Sequence, residues 1–386
     1  MKNLKNIGIL AASLAILVSP TMANLEVSGL FPLEERVKIS DFMNNVSVGG
    51  SILGGLNLLT QSTNSATNRY QFDYAANIDF ETKLAPGIKA YLQLQTSPGN
   101  GTYGFPGPGA ELTDIGIEYT NRARTVTVVV GSYDTPFGQQ TGMLSNNADT
   151  FNNNLIINPL LYSAFAGPMG TLNTLGAMIN WDSSVGTSTL AISNGTDESA
   201  TNPDGQFELV IGQSLFIEEI KTELSGTYMR SNDIKNATSG FSSDFQGWMV
   251  DGISIIGTST ELIGSYSQLT YGDEHDGTED KVTSIIAEAR HNVGDMFVSG
   301  RVSTWIPEDN DGSGAGMSST LPNPAFNFGA TVSPDQTITR YELGIGYFHK
   351  ENVLLKAEWV LDNYEKETAG QETDVSGLLL IANVRF

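Results

Sequence analysis

The stretch YQFDYAANIDF, Tyr70 to Phe80, alternates strictly: Tyr70, Phe72, Tyr74, Ala76, Ile78 and Phe80 make one face, and Gln71, Asp73, Ala75, Asn77 and Asp79 the other. A period of two is that of an extended strand, whose successive side chains point to opposite sides. One face here is apolar and aromatic, and the other carries charge. The pattern recurs at Ile88, Ala90, Leu92 and Leu94 against Lys89, Tyr91 and Gln93. Near the end, Tyr341, Leu343, Ile345 and Tyr347 oppose Arg340, Glu342, Gly344 and Gly346, and Val353, Leu355, Ala357, Trp359 and Leu361 oppose Lys356 and Glu358.

Followed outward from these segments, the alternation predicts strands over 46–60, 69–82, 87–96, 111–120, 124–133, 171–181, 185–193 and 207–216. It continues over 219–230, 245–256, 260–271, 281–290, 295–305, 337–348, 352–363 and 374–386, sixteen in all. The gaps between them alternate long and short, so one rim has tight turns and the other extended loops. That asymmetry is the pattern of an antiparallel transmembrane β-barrel with short periplasmic turns and long external loops. In lipid an open sheet edge leaves backbone groups unpaired at several kcal/mol each, so the sheet must close. Sixteen strands enclose an aqueous channel, and charges on the inner face, such as Asp79, Lys89, Glu223, Glu342 and Lys356, are then expected to be hydrated. A soluble β-sandwich shows the same alternation but rarely sustains it through sixteen strands.

The N-terminus reads differently. Lys2 and Lys5 precede an apolar run from Ile7 to Val18, and Ser19 to Ala23 form a small-residue exit. This is the order of a secretory signal over residues 1–23, and the run is too short for a membrane-spanning helix. Residues 24–45 break the strand rhythm; a periplasmic extension, an interior plug and an added strand all accommodate them. Residues 46–386 form the barrel. Eighteen strands result if residues 24–45 and the stretch 151–159 each add one. The chain carries 43 acidic against 20 basic groups, a balance that repels nucleic acid. Cysteine is absent, which excludes thiolate chemistry and Cys-ligated metals.

Three motifs carry a family resemblance. Val375-Ser-Gly-Leu-Leu-Leu-Ile-Ala-Asn-Val-Arg-Phe386 is similar to a barrel insertion signal, with a final aromatic residue and alternating apolar positions. Gly131-Ser-Tyr-Asp-Thr-Pro-Phe-Gly138 resembles the strand end and "PFG" turn of porins related to the phosphate- and carboxylate-selective groups. Gly346 to Trp359 resembles their hairpin near the C-terminus. The chain thus resembles Gram-negative outer-membrane general porins over residues 46–386. The resemblance implies an integral outer-membrane channel for small hydrophilic solutes and ions, in contact with lipid and lipopolysaccharide and assembled as a homotrimer. It also implies that the third long loop, 134–170, with Asp149 and Asn152, Asn153 and Asn154, folds inward as a constriction loop; an external loop packed on its neighbours is the other reading. Phosphate-selective relatives line the path with many basic groups, and removing residues 1–23 leaves only 18 here.

On the proposed inward faces, the acidic pore-lining candidates are Asp73, Asp79, Glu81, Glu223, Glu288, Glu342 and Glu358, with Asp149 in the loop. The basic ones are Lys89, Lys221, Arg301, Arg340, Lys356 and Arg385. This mixture suits a water-filled pore with a transverse field and a mild cation preference; each charge also serves as a wall ion pair. Asp273, Glu274, Asp276, Glu279 and Asp280, with Glu308, Asp309 and Asp311, could bind Ca2+ weakly through carboxylate oxygens, or simply be solvated loops. Tyr70, Phe80, Tyr341, Tyr347, Trp359 and Phe386 are candidates for interfacial girdles. His275, His291 and His349 fall in separate loop or turn positions, and no nucleophile, phosphate or dinucleotide motif appears, so no cofactor and no enzyme activity is expected. A structural or adhesive barrel with an occluded lumen is the rival to a channel.

Overall fold

Alternating apolar and polar positions, rich in β-branched and aromatic residues, hold the chain extended wherever one face must meet lipid and the other water. In the computed structural model, which describes residues 46–62, 70–97, 109–137, 154–156, 173–194, 207–235, 242–273, 279–308, 337–365 and 373–386, sixteen strands form. They are β1 (Val46–Ser62), β2 (Tyr70–Ala85), β3 (Ile88–Ser97), β4 (Gly109–Thr120), β5 (Val126–Asp134) and β6 (Asn173–Ser183). Next come β7 (Gly186–Ser193), β8 (Phe207–Ile217), β9 (Thr222–Lys235), β10 (Ser242–Ile256) and β11 (Thr260–Asp273). The last are β12 (Glu279–Val293), β13 (Met296–Glu308), β14 (Thr337–Phe348), β15 (Val353–Glu365) and β16 (Thr373–Arg385).

Each strand pairs antiparallel with its sequence neighbours, and β16 pairs with β1, so the sheet closes on itself. Across the seam, Phe386 N–H donates to Gly50 O at 3.0 Å and Gly50 N–H to Phe386 O at 3.2 Å. Closure removes the exposed edge. The sixteen strands expected from alternation all form, most of them extended by a few residues. Short turns, from Pro86–Gly87 to 349–352, stand at one rim and the long connections at the other. Residues 1–45, with the expected signal and extension, lie outside the described residues. In the stretch 151–159, residues 154–156 form a bend and not a strand.

The outer face is apolar: Val130 is 55% exposed, Leu343 57% and Trp181 63%. On β14 Tyr341 and Tyr347, both outward, stand roughly 20 Å apart along the strand at about 3.3 Å per residue. Trp248 and Tyr266 lie 5.2 Å apart, centroid to centroid, on neighbouring strands of the same outer surface. An apolar exterior on a closed sheet is the arrangement that a bilayer requires. Phe386 is exposed on this side, and Phe80 is half-buried.

The inner face alternates with the outer and is not uniformly polar. Large aromatics lie flat across facing glycines. Phe297 sits directly opposite Gly346, and a Cβ at Gly346 would fall 2.1 Å from its ring. The ring is buried and stacks under the Arg290 guanidinium at 4.1 Å. Tyr91 crosses Gly116 in the same way to donate its hydroxyl to Ser132 O at 2.9 Å. A Gly346→Leu barrel is therefore expected to lose about 1–3 kcal/mol through overpacking, read as a lower denaturation midpoint. A midpoint equal to that of the parent would show that the Phe297 ring relocates freely.

Candidate functional site in the barrel lumen

The strongest concentration of chemistry lies on the inner wall of β11–β15. Register places Glu288, Arg301 and Glu342 directly opposite one another on β12, β13 and β14. The Arg301 fork donates to Glu342 through Nε and Nη2, both at 2.6 Å, and Nη1 donates to Glu288 at 3.3 Å. Toward the loop rim, Arg340 makes a second fork to Asp362 at 2.7 and 2.9 Å, and the Tyr364 hydroxyl donates to the same carboxylate at 3.4 Å. Planar guanidinium against carboxylate gives two parallel charge-assisted bonds, the geometry that keeps an ion pair together away from water.

This corrects the expectation of hydrated lumenal charges. Glu288, Arg301, Arg340, Glu342, Lys356, Glu358 and Asp362 are all buried, Glu358 at 0% exposure. The expectation assumed a wide, open lumen along the whole wall. Among the described residues, 154–156, in the connection between β5 and β6, lie directly on it. Asn154 donates its amide to Glu288 at 2.6 Å and to Glu261 at 3.1 Å, while its Oδ1 accepts from Arg290 at 2.8 Å. The backbone N–H of Ile156 donates to Glu358. Leu155 fits over Gly344, where a Cβ would lie 2.6 Å from its Cδ2. At the start of the same connection Phe137 is buried, and a Cβ at Gly247 on β10 would lie 3.5 Å from its ring.

The wall of β2–β4 is different. Gln93 donates to Asp79 at 2.7 Å, and Lys89 bridges Glu81 at 3.4 Å and Glu118 at 3.3 Å. The Lys89 and Glu118 side chains are 33% and 26% exposed, and Glu81 53%. The inward residues of β6 and β7, Met178, Asn180, Thr187 and Thr189, are also only partly buried. Water thus reaches one side of the lumen and is kept from the other.

The remaining candidates scatter. Lys221 is not on the wall: Glu218–Ile220 form a 3-10 turn, and Lys221 follows in a left-handed conformation, exposed, at the turn rim. Glu223, just inside β9, is inward and half-buried. Lys356 lies 6.0 Å from the Phe297 ring, and Arg385 is half-buried beside the seam. Asp73 takes its place in β2, opposite Gly55. Asp149 and the acidic connections at 274–278 and 309–336 lie outside the described residues, and among those described no three acids or histidines group as a metal site. His291 falls within β12, which runs further than expected, and His349 in the turn before β15.

Glu261, Arg290, Asp362 and Tyr364 join the site beyond the candidates of the sequence. Parity could have found them, since Asp362 and Tyr364 share a face with Glu358, and Arg290 with Glu288. Nothing local marks Asn154 among its neighbouring asparagines.

No protein-family model and no curated protein matches the sequence. Solved structures do. The anion-selective porin from Comamonas acidovorans superposes with a TM-score of 0.64 at 11% identity, over 88% of this chain and 99% of that one. The outer membrane channel DcaP of Acinetobacter baumannii gives 0.60 at 11%, over 88% and 97%. The trimer form of OmpT, an outer membrane protein of Vibrio cholerae, gives 0.59 at 10%, over 88% and 99%. At these identities the likeness is one of fold, that of integral outer-membrane barrels of the porin type. The finer likeness to phosphate- and carboxylate-selective groups rests on the short motifs alone.

Proposed function

We propose that this chain, a sixteen-stranded barrel of the outer-membrane porin fold, forms a water-filled channel for passive diffusion of small hydrophilic solutes and ions, with a mild preference for cations. The observation that carries the reading is a closed barrel, apolar outside, with a lumen that is wet along one wall and lined there by charged side chains. The short turns face the periplasm and the long connections face outward. Segment 134–170 acts as the constriction loop, a reading supported by the hydrogen bonds of Asn154 and Ile156 to the far wall. A homotrimer fits the apolar exterior and the trimeric form of the OmpT neighbour. The acidic excess of the whole chain, −23, favours cations, in contrast to the anion-selective neighbour. The acidic connections around 273–280 and 308–311 would draw cations, Ca2+ weakly among them, toward the outer mouth.

Purified protein inserted into a planar bilayer is expected to give stable, ohmic single channels. The burial of the β11–β15 wall favours a narrowed lumen, and no conductance from protein proven to be folded would instead establish the occluded structural barrel.

A further inference from the structure

On the β12–β14 wall the arginines are held in place, two of them by buried acids. Arg301 and Arg340 are buried in two-pronged pairs with Glu342 and Asp362, and Arg290 is held by Asn154 and stacked on Phe297. A buried pair presents a dipole to the lumen, with a field that falls off faster than that of a free charge. The β2–β4 wall also pairs charges, Lys89 with Glu81 and Glu118, but its pairs stay partly exposed to water. Asp79, Gln93 and Asp114 share one level across β2, β3 and β4, and Lys83, Lys89 and Glu118 share another nearer the turn rim. Glu81 stands between these levels and is the most exposed member of the Lys89 triad. Four carboxylates therefore meet two lysines on the side of the lumen that water reaches. Arg122 and Arg124 project from the turn 121–125, at the rim and off the wall.

We infer that solutes pass along the β2–β4 side of the lumen and that Asp79, Glu81 and Glu118, opposed by Lys89, set the charge selectivity there, favouring small monovalent cations and amines. The inference rests on the channel reading and adds to it the location and sign of the filter. The charges of β12–β15, which the sequence makes equally conspicuous, contribute wall structure and little selectivity.

Reversal potentials across a KCl gradient test it. In the parent channel potassium is expected to permeate better than chloride. Asp79→Asn with Glu81→Gln removes two wet charges and is expected to lower the K+/Cl− permeability ratio about threefold, the size expected for charges a few ångströms from an ion in water-like surroundings. Lys89→Met removes the opposing charge and is expected to raise the ratio about twofold by the same argument. Heat-dependent gel mobility verifies that each variant is folded. A conducting Asp79→Asn/Glu81→Gln channel with the parent's reversal potential, or a Lys89→Met channel with a lower ratio, overturns the inference. A folded parent without conductance overturns the channel reading and this inference with it.

Discussion

Replacing Arg301 with methionine is expected to destabilise the barrel by about 3–5 kcal/mol, more than any other single change to its wall. Arg301 neutralises two buried carboxylates, Glu342 through both of its oxygens and Glu288 through one. Methionine fills much of the volume but leaves both acids without their cation. Lumenal water is kept from this wall, so neither acid is rescued by hydration. The measurement is the denaturant midpoint of the refolded barrel in detergent or lipid.

The companion variant separates pairing from packing. Arg301→Met with Glu342→Leu removes the fork as a unit, and Glu288 keeps the amide of Asn154. Removing both partners of a buried pair often costs little, whereas removing one costs much. The double variant is therefore expected to be more stable than the single. If both lose the same amount, the fork carries no special weight and the loss is one of packing.

The architecture was legible because alternation is a long-range, repeated signal. Each strand shows its face through several side chains, so errors at one end, such as the start of β9, leave the count intact. Alternation puts Lys221 on the wall because the turn Glu218–Ile220 lies within a segment that still alternates. The candidate site was legible only in part. Parity places Glu288, Arg301, Glu342 and Glu358 on the inner face, yet it does not say which inner charges are wet. That depends on what crosses the lumen, and the contact between Ile156 and Glu358 joins residues 202 positions apart. Asn154 reaches Glu288 across 134. Hydrophobic period carries no information about such pairings. The glycines at 116 and 346 hide similarly: in sequence they are weak strand residues, and in the barrel they are the space an aromatic ring fills.

The same long-range contacts make a functional prediction. Asn154→Ala combined with Glu358→Ala is expected to raise single-channel conductance and open-channel noise. Asn154 makes three hydrogen bonds to charged partners, and Glu358 accepts from the backbone at Ile156. Bonds to charged groups contribute about 1.5–3 kcal/mol each, so losing even two shifts the ratio of pinned to released segment by a factor of about 100 or more. A released segment no longer narrows the lumen, and the current through each channel increases. Glu358→Gln alone is the control. It keeps an acceptor for Ile156 and removes only the charge, so conductance should stay near that of the parent. If the double variant is folded and conducts like the parent, residues 154–156 do not hold a constriction. The pore would then be narrowed elsewhere, and the role of segment 134–170 as its constriction loop would fall.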